Sequence, residues 1–193
     1  MPRYSSAAWR AYRPDAQTAE RAAAAPPSGD CLILGLDPGS RRTGYGLLQV
    51  RGGALAHVAH GCIDVRGEDL AARLRYIYAE VDALVATHQP TEVAIERVFL
   101  HKNADSALKL GQARGVALCA ASGRGASAYE YAPRAIKQAV TGYGGAEKGQ
   151  VGHMIALLLQ LESVPPPDAA DALAIALCHA QSRRLAAVLE RGE

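Results

Sequence analysis

Two short apolar runs, each ending in an acid, constrain this chain more than any other feature. Residues 32–36 (LILGL) run into Asp37, and residues 93–95 (VAI) run into Glu96. Runs this continuous read as strands covered on both faces, which implies a sheet with helices packed against it. Side chains alternate along a strand, so Ile33, Gly35 and Asp37 share one face of the first run, and Ala94 and Glu96 share one face of the second. A carboxylate in such a place must sit where the sheet meets solvent, be paired, or bind a cation. Asp37 by itself is equally well a turn residue, because Asp-Pro-Gly initiates turns. Glu96 shifts that balance: two acids late in two core strands suggest one shared site, and helix-covered sheets keep their sites at strand ends.

The rest of the chain supplies the layers. Strands are expected at 31–37, 45–51 and 54–65, the last two joined by Arg51-Gly52-Gly53 as a hairpin turn. Leu70, Leu74, Ile77, Val81, Leu84 and Val85 recur at helical spacing and predict a helix over 68–88, ended by Gln89-Pro90. A strand at 91–98, a helix at 103–122, a short strand at 127–132 and a short helix after Pro133 follow. The sequence GYGG then breaks the chain before helices at 147–161 and 168–189. This order predicts an α/β domain over 31–190, built on a mixed five-stranded sheet with helices on both faces. Residues 1–30 mix Ala, Ser, Pro and Arg without periodicity or an apolar core. They read as a disordered N-terminal extension or an over-long start, not as a secretory signal, and Asp15, Glu20 and Asp30 count against a transit peptide.

A third acidic piece lies in PPPDAADALAIALCHA, residues 165–180. Asp168 and Asp171 are three apart and share one face of the expected helix. Helix N-termini favour aspartate, which accounts for Asp168. It accounts less well for Asp171, which falls inside the helix between Ala170 and Ala172, where small residues allow close packing on the sheet. Asp37, Glu96, Asp168 and Asp171 together offer oxygen ligands only, which suits a hard cation, Mg²⁺ or Mn²⁺. Two such ions about 3.5–4 Å apart clamp the attacking and leaving oxygens of a phosphodiester displacement.

Composition excludes several other chemistries. Cys31, Cys62, Cys119 and Cys178 are far apart, which argues against a disulfide framework and a zinc site and for reduced thiols in a cytosolic protein. The histidines form no ligand pattern, and His57 and His60, three apart on a strand, are expected on opposite faces. No apolar stretch is long enough to span a membrane. A net charge of +2 announces no nucleic-acid partner, so any basic surface must come from local placement.

Five motifs carry a resemblance. LGLDPGSRRTGYGLL, AIERVF, NADSALKLGQARGVAL, YAPRAIKQAVTGYGGAEKGQV and DAADALAIA, spanning about 32–180, resemble in order and spacing the bacterial RuvC Holliday-junction resolvases. The resemblance implies a ribonuclease H-like fold, a homodimer, and Mg²⁺-dependent endonuclease activity with two ions per site, Mn²⁺ being a substitute. It implies paired nicking of two like-polarity strands of a four-way DNA junction in recombination and repair, with the RuvA–RuvB branch-migration complex as partner, in the bacterial cytoplasm near the nucleoid. Carried over by motif, the catalytic metal ligands are Asp37, Glu96, Asp168 and Asp171. Some members have histidine where Asp168 stands, and Arg97 stands where glutamine is often found. The resemblance also selects Phe99 as a base-stacking aromatic, and Lys137 and Lys148, which flank the glycine-rich loop, as DNA contacts. From the residues alone, Phe99 is equally a packing residue and the two lysines are more simply surface charges. Lys102, Lys109 and Arg114 are weaker DNA candidates, and Arg73 and Arg75 belong to a solvated helix face.

Other classes share parts of this pattern. Actin- and hexokinase-like ATPases also open with a strand, an acid and a glycine-rich turn, but need a duplicated domain that 193 residues do not hold. A ribonuclease H-like nuclease acting on ribosomal RNA precursors is a nearer rival, against which the long NADSALKLGQARG block speaks. A junction-binding protein without catalysis would not need all four acids.

Overall fold

The structure, a computed structural model, describes residues 29–97, 104–145, 148–190 and 192. Phe99 and the N-terminal segment lie outside the described residues, as does the side chain of Lys148.

Five strands form one sheet: β1 (Cys31–Asp37), β2 (Arg42–Arg51), β3 (Ala54–Asp64), β4 (Glu92–Glu96) and β5 (Ser127–Tyr131). Their order across the sheet is β3-β2-β1-β4-β5. The first three run as antiparallel neighbours, while β1–β4 and β4–β5 are parallel. β1 is therefore central and β4 adjoins it, so both expected acid-bearing strands are core strands.

Helices α1 (Leu70–His88) and α2 (Ala104–Ser122) cover one face. Ile77, Val81 and Val85 of α1 and Ala113, Ala117, Ala120 and Ala121 of α2 bury against Leu34, Leu36, Leu47, Val93 and Ile95. Helices α3 (Pro133–Thr141), α4 (Lys148–Leu158) and α5 (Pro167–Glu190) cover the other. There Ile136, Val140, Val151, Ile155 and residues 173–178 bury against Ile33, Leu48 and Ala94. The α2 side is built from alanine, which lets that helix approach at the cost of apolar area per residue.

Local chemistry sets the helix ends. Asp69 caps α1 by accepting the Ala72 N–H at 2.7 Å, and Gln89 closes it in the left-handed region with its N–H on Val85. Pro133 opens α3, where its missing N–H costs nothing, and left-handed Gly142 ends it.

Several expected boundaries move. β2 begins at Arg42, not 45, because its ladder with β1 reaches Gly44 opposite Asp37 and its ladder with β3 continues on to the Arg42–Asp64 pair. β4 ends at Glu96 rather than 98. α4 stops at Leu158 rather than 161: Gln160 turns left-handed at φ 53° and the Leu161 N–H returns to Ala156 at 2.9 Å.

The expectation for the histidine pair is overturned. The β2–β3 register shifts between Leu47 and Leu48, leaving Val58 as an extra residue. That bulge resets the alternation, so His57 Nε2 lies 2.8 Å from His60 Nδ1. Burial, and then the neighbouring His60, lower the pKa of His57.

Candidate metal centre at the carboxyl end of the central strands

Three glycines decide how closely α5 lies on the sheet. A methyl group on Gly35 would run into the backbone oxygen of Ala172, one on Gly44 into that of Asp168, and one on Gly46 into the Leu173 side chain. The absence of these methyls lets the α5 backbone rest directly on β1 and β2, with Ala169, Ala172 and Leu173 fully buried beneath it. The closeness expected from the alanines of α5 is thus supplied from both partners.

This contact assembles the acids. Asp37 is the last residue of β1 and Glu96 the last of β4. Leu36 is in register with Ile95, so the next residues along these parallel strands, Asp37 and Glu96, leave the sheet side by side. Ile33 and Ala94 belong to the core under α5, and alternation places Asp37 and Glu96 on that same face. Asp37 pairs across the antiparallel ladder with Gly44, the residue on which the Asp168 backbone sits. α5 begins at Pro167, which puts Asp168 in its first turn and Asp171 one turn on. All four acids are half-buried, at the boundary between core and solvent. The structure therefore brings the backbone positions of Asp37, Glu96, Asp168 and Asp171 to one end of the sheet. Among the described residues, no three His, Cys, Asp or Glu side chains are already gathered to hold a metal ion.

The surroundings favour hard-cation chemistry. Cys62 is the nearby sulfur, paired with Gly44 on β3. Burial pushes its thiol pKa up and Asp168 adds to this, against a lowering hydrogen bond from the Ala169 backbone. A thiol held protonated is a poor ligand for a cation, whereas an all-carboxylate donor set fits Mg²⁺ or Mn²⁺. Arg42 stands at the rim, its Nε 2.7 Å from Asp64 and its Nη1 3.8 Å from Asp168. Both pairs are exposed, so they orient more than they stabilise.

The DNA candidates fall out unevenly. Lys137 is half-buried on α3, on the same face of the sheet as the acids. Lys148 opens α4. Between them Tyr143, which the sequence reading passed over, is 71% exposed in the glycine-rich loop. Arg114, one of the weaker DNA candidates, instead donates from Nε to the Glu96 carbonyl at 2.9 Å and from Nη2 to Glu130 at 2.7 Å. Lys109 is paired with Asp105 one turn earlier on α2.

A second polar cluster escaped the sequence reading altogether. Glu92, at the start of β4, is 3% exposed and lies 2.6 Å from His179 Nε2 and 2.8 Å from Arg183 Nε. His179 Nδ1 meets the Tyr131 hydroxyl at 2.6 Å, and its ring stacks on Tyr129 with centroids 4.5 Å apart. The available signal was the spacing of Glu92, Ala94 and Glu96, which puts two acids on one face of a five-residue strand.

Comparison with known proteins identifies the family and the fold. The family described as "Crossover junction endodeoxyribonuclease RuvC" matches residues 33–179. A relative of that name from Chromohalobacter salexigens is 54% identical over 153 residues, 79% of this chain and 82% of its own. The structure "T. thermophilus RuvC in complex with Holliday junction substrate" superposes with a TM-score of 0.73 at 34% identity, covering 80% of this chain and 96% of that one. The yeast mitochondrial Holliday junction resolvase Ydc2, at 11% identity and a TM-score of 0.64, covers 91% of this chain and 90% of its own and shares the fold. The architecture is the ribonuclease H-like fold of these resolvases. By family match and by sequence identity over most of its length, this chain belongs to the crossover junction endodeoxyribonuclease RuvC family.

Proposed function

We propose that this protein is a crossover junction endodeoxyribonuclease that resolves four-way DNA junctions by paired hydrolysis of phosphodiester bonds during recombination and repair. The observation that carries this reading is the convergence of Asp37 and Glu96 on adjacent strand ends, facing the first turns of α5, in a chain of this family. Asp37, Glu96, Asp168 and Asp171 are the residues that would hold Mg²⁺, two ions per site, with Mn²⁺ as substitute. Bound there, the ions would supply Lewis-acid activation of water and charge stabilisation at the scissile phosphate. The chain's own part is positional. The two strands would fix the backbones of Asp37 and Glu96, and the glycine contacts that lay α5 on β1 and β2 support the reading that Asp168 and Asp171 complete the set.

Lys137, with Lys148, would neutralise backbone phosphates beside the site, and Phe99 would stack on a base exposed at the junction. Two like nicks on a symmetric junction need two sites related by a two-fold axis, hence a homodimer. α2 offers a surface for it: Leu108 is 62% exposed, Cys119 is exposed, and nothing packs over Gly111 or Gly115. The RuvA–RuvB complex is the proposed partner and the bacterial nucleoid the place of action. Among the described residues no helix is long and apolar enough to cross a membrane. We take 31–190 as the nuclease domain and 1–30 as an extension to it.

A nicking assay on a four-way junction, a linear duplex and a structured RNA, each with Mg²⁺, tests the reading. Paired nicks confined to the junction are expected. Equal cutting of all three would overturn it.

A further inference from the structure

Arg114 holds the strand that carries Glu96 from the side opposite the acids. Its guanidinium is mostly buried, with 17% of the side chain exposed. Nε reaches the Glu96 carbonyl, and Nη2 reaches Glu130, which pairs with Ile95 on the neighbouring strand. Ile95 faces the α2 side of the sheet and Glu96 faces α5, so the guanidinium grips the Glu96 backbone while the carboxylate points the other way. One planar group thereby joins the carboxyl end of β4, the edge strand β5 and helix α2. β4 stops at this residue, and the Arg97 N–H that follows bonds the Tyr131 carbonyl at 2.8 Å. A strand end is where backbone position is least determined by the ladder, and here the guanidinium supplies the missing constraint. Lysine has one charged point and no rigid fork, so it cannot hold a carbonyl and a carboxylate in this geometry.

We infer that Arg114 is a positioning residue for the cleavage site, fixing the Glu96 carboxylate for its cation through the Glu96 carbonyl and the Glu130 carboxylate. This rests on the reading of Glu96 as a metal ligand. It replaces the alternative that Arg114 contacts DNA, since both of its hydrogen bonds point into the protein.

The test uses the full chain with the variants R114A, R114K, E130Q and E96Q. Mn²⁺ is titrated by electron paramagnetic resonance into the protein alone and on an immobile four-way junction. Junction binding without divalent cation is measured against salt, and cleavage is split into kcat and KM. R114A and R114K should weaken Mn²⁺ binding about 10–100-fold, the range for groups that orient metal ligands. Their kcat should fall while KM, cation-free junction binding and its salt slope stay as in the parent. E130Q, at an exposed position that does not threaten folding, should give a smaller loss of the same kind. If R114A does not fold, R114K and E130Q carry the test. Unchanged Mn²⁺ affinity in R114K and E130Q, or weakened cation-free binding with a shallower salt slope, would overturn the inference and return Arg114 to the DNA contacts. E96Q separates the two levels: if it keeps Mn²⁺ affinity and cleavage, the ligand reading of Glu96 itself fails.

Discussion

Glu92 and Glu96 lie four residues apart on the same strand and on the same face, yet their surroundings differ completely. Glu92 is sealed under α5 between His179 and Arg183. His179 bridges Glu92 and Tyr131, its Nε2 against the Glu92 carboxylate and its Nδ1 against the Tyr131 hydroxyl. Arg183 balances the remaining charge and also donates to the Gly29 carbonyl at 3.0 Å. Burial, with Glu92 adding to it, pushes the nearby Cys31 thiol up to about 11, and burial raises Tyr131 to about 12, so neither ionises near neutrality. Glu96 sits at the strand's exit, half-buried, its carbonyl held by Arg114. A buried acid held between a histidine and an arginine of α5 bolts that helix to the sheet. An acid at the strand end, on a backbone held from behind, is placed to meet something from solution. α5 serves both regions, with Asp168 and Asp171 in its first turns and His179 and Arg183 further along.

The comparison breaks if the two glutamates respond alike. Asp37→Asn and Glu96→Gln should reduce junction cleavage by about 10²–10³-fold or more, as loss of a transition-state stabilising group does. Thermal unfolding and cation-free junction binding should stay near the parent. Glu92→Gln should show the reverse pattern, losing about 3–5 kcal/mol in urea unfolding because the Arg183 guanidinium keeps a buried charge without its partner. A Glu92→Gln protein as stable as the parent would remove the bolt from the account. Gly44→Ala sharpens the link between the regions: its methyl collides with the Asp168 backbone, so α5 must lift. It should cost about 1–3 kcal/mol of stability, with cleavage falling further than that loss explains. Lys137→Ala is the mildest: weaker junction binding with the salt slope reduced by about 1, and a parental slope would take Lys137 out of the phosphate contacts.

Asp37, Glu96, Asp168 and Asp171 stand out as candidates because each interrupts a clear local pattern: an apolar strand closed by an acid, or an acid among alanines inside a helix. The sheet and its helices were legible for the same reason, since hydrophobic period is a local property. Glu92 was not, because an acid at the start of a strand looks like a solvated end until α5 is laid across it. The inward bonds of Arg114 were not legible, because a basic residue on a helix near a nuclease motif resembles a DNA contact. Only the position of β4 beside α2 turns its donors inward. The His57–His60 contact was missed because a single extra residue in β3 reverses the alternation on which the expectation stood.

The order of strands and helices, the two apolar faces and the identity of the four acids follow from residues 31–190 by local rules of alternation, helical spacing and turn chemistry. Which acids stand together does not follow from any local rule. Asp37 and Asp168 are far apart along the chain, and the Asp168 backbone comes to rest on Gly44, the ladder partner of Asp37, because Gly35, Gly44 and Gly46 leave α5 room to lie on the sheet. Close approach depends on which atoms face each other across an interface, and that is settled only when the helix and the sheet are packed.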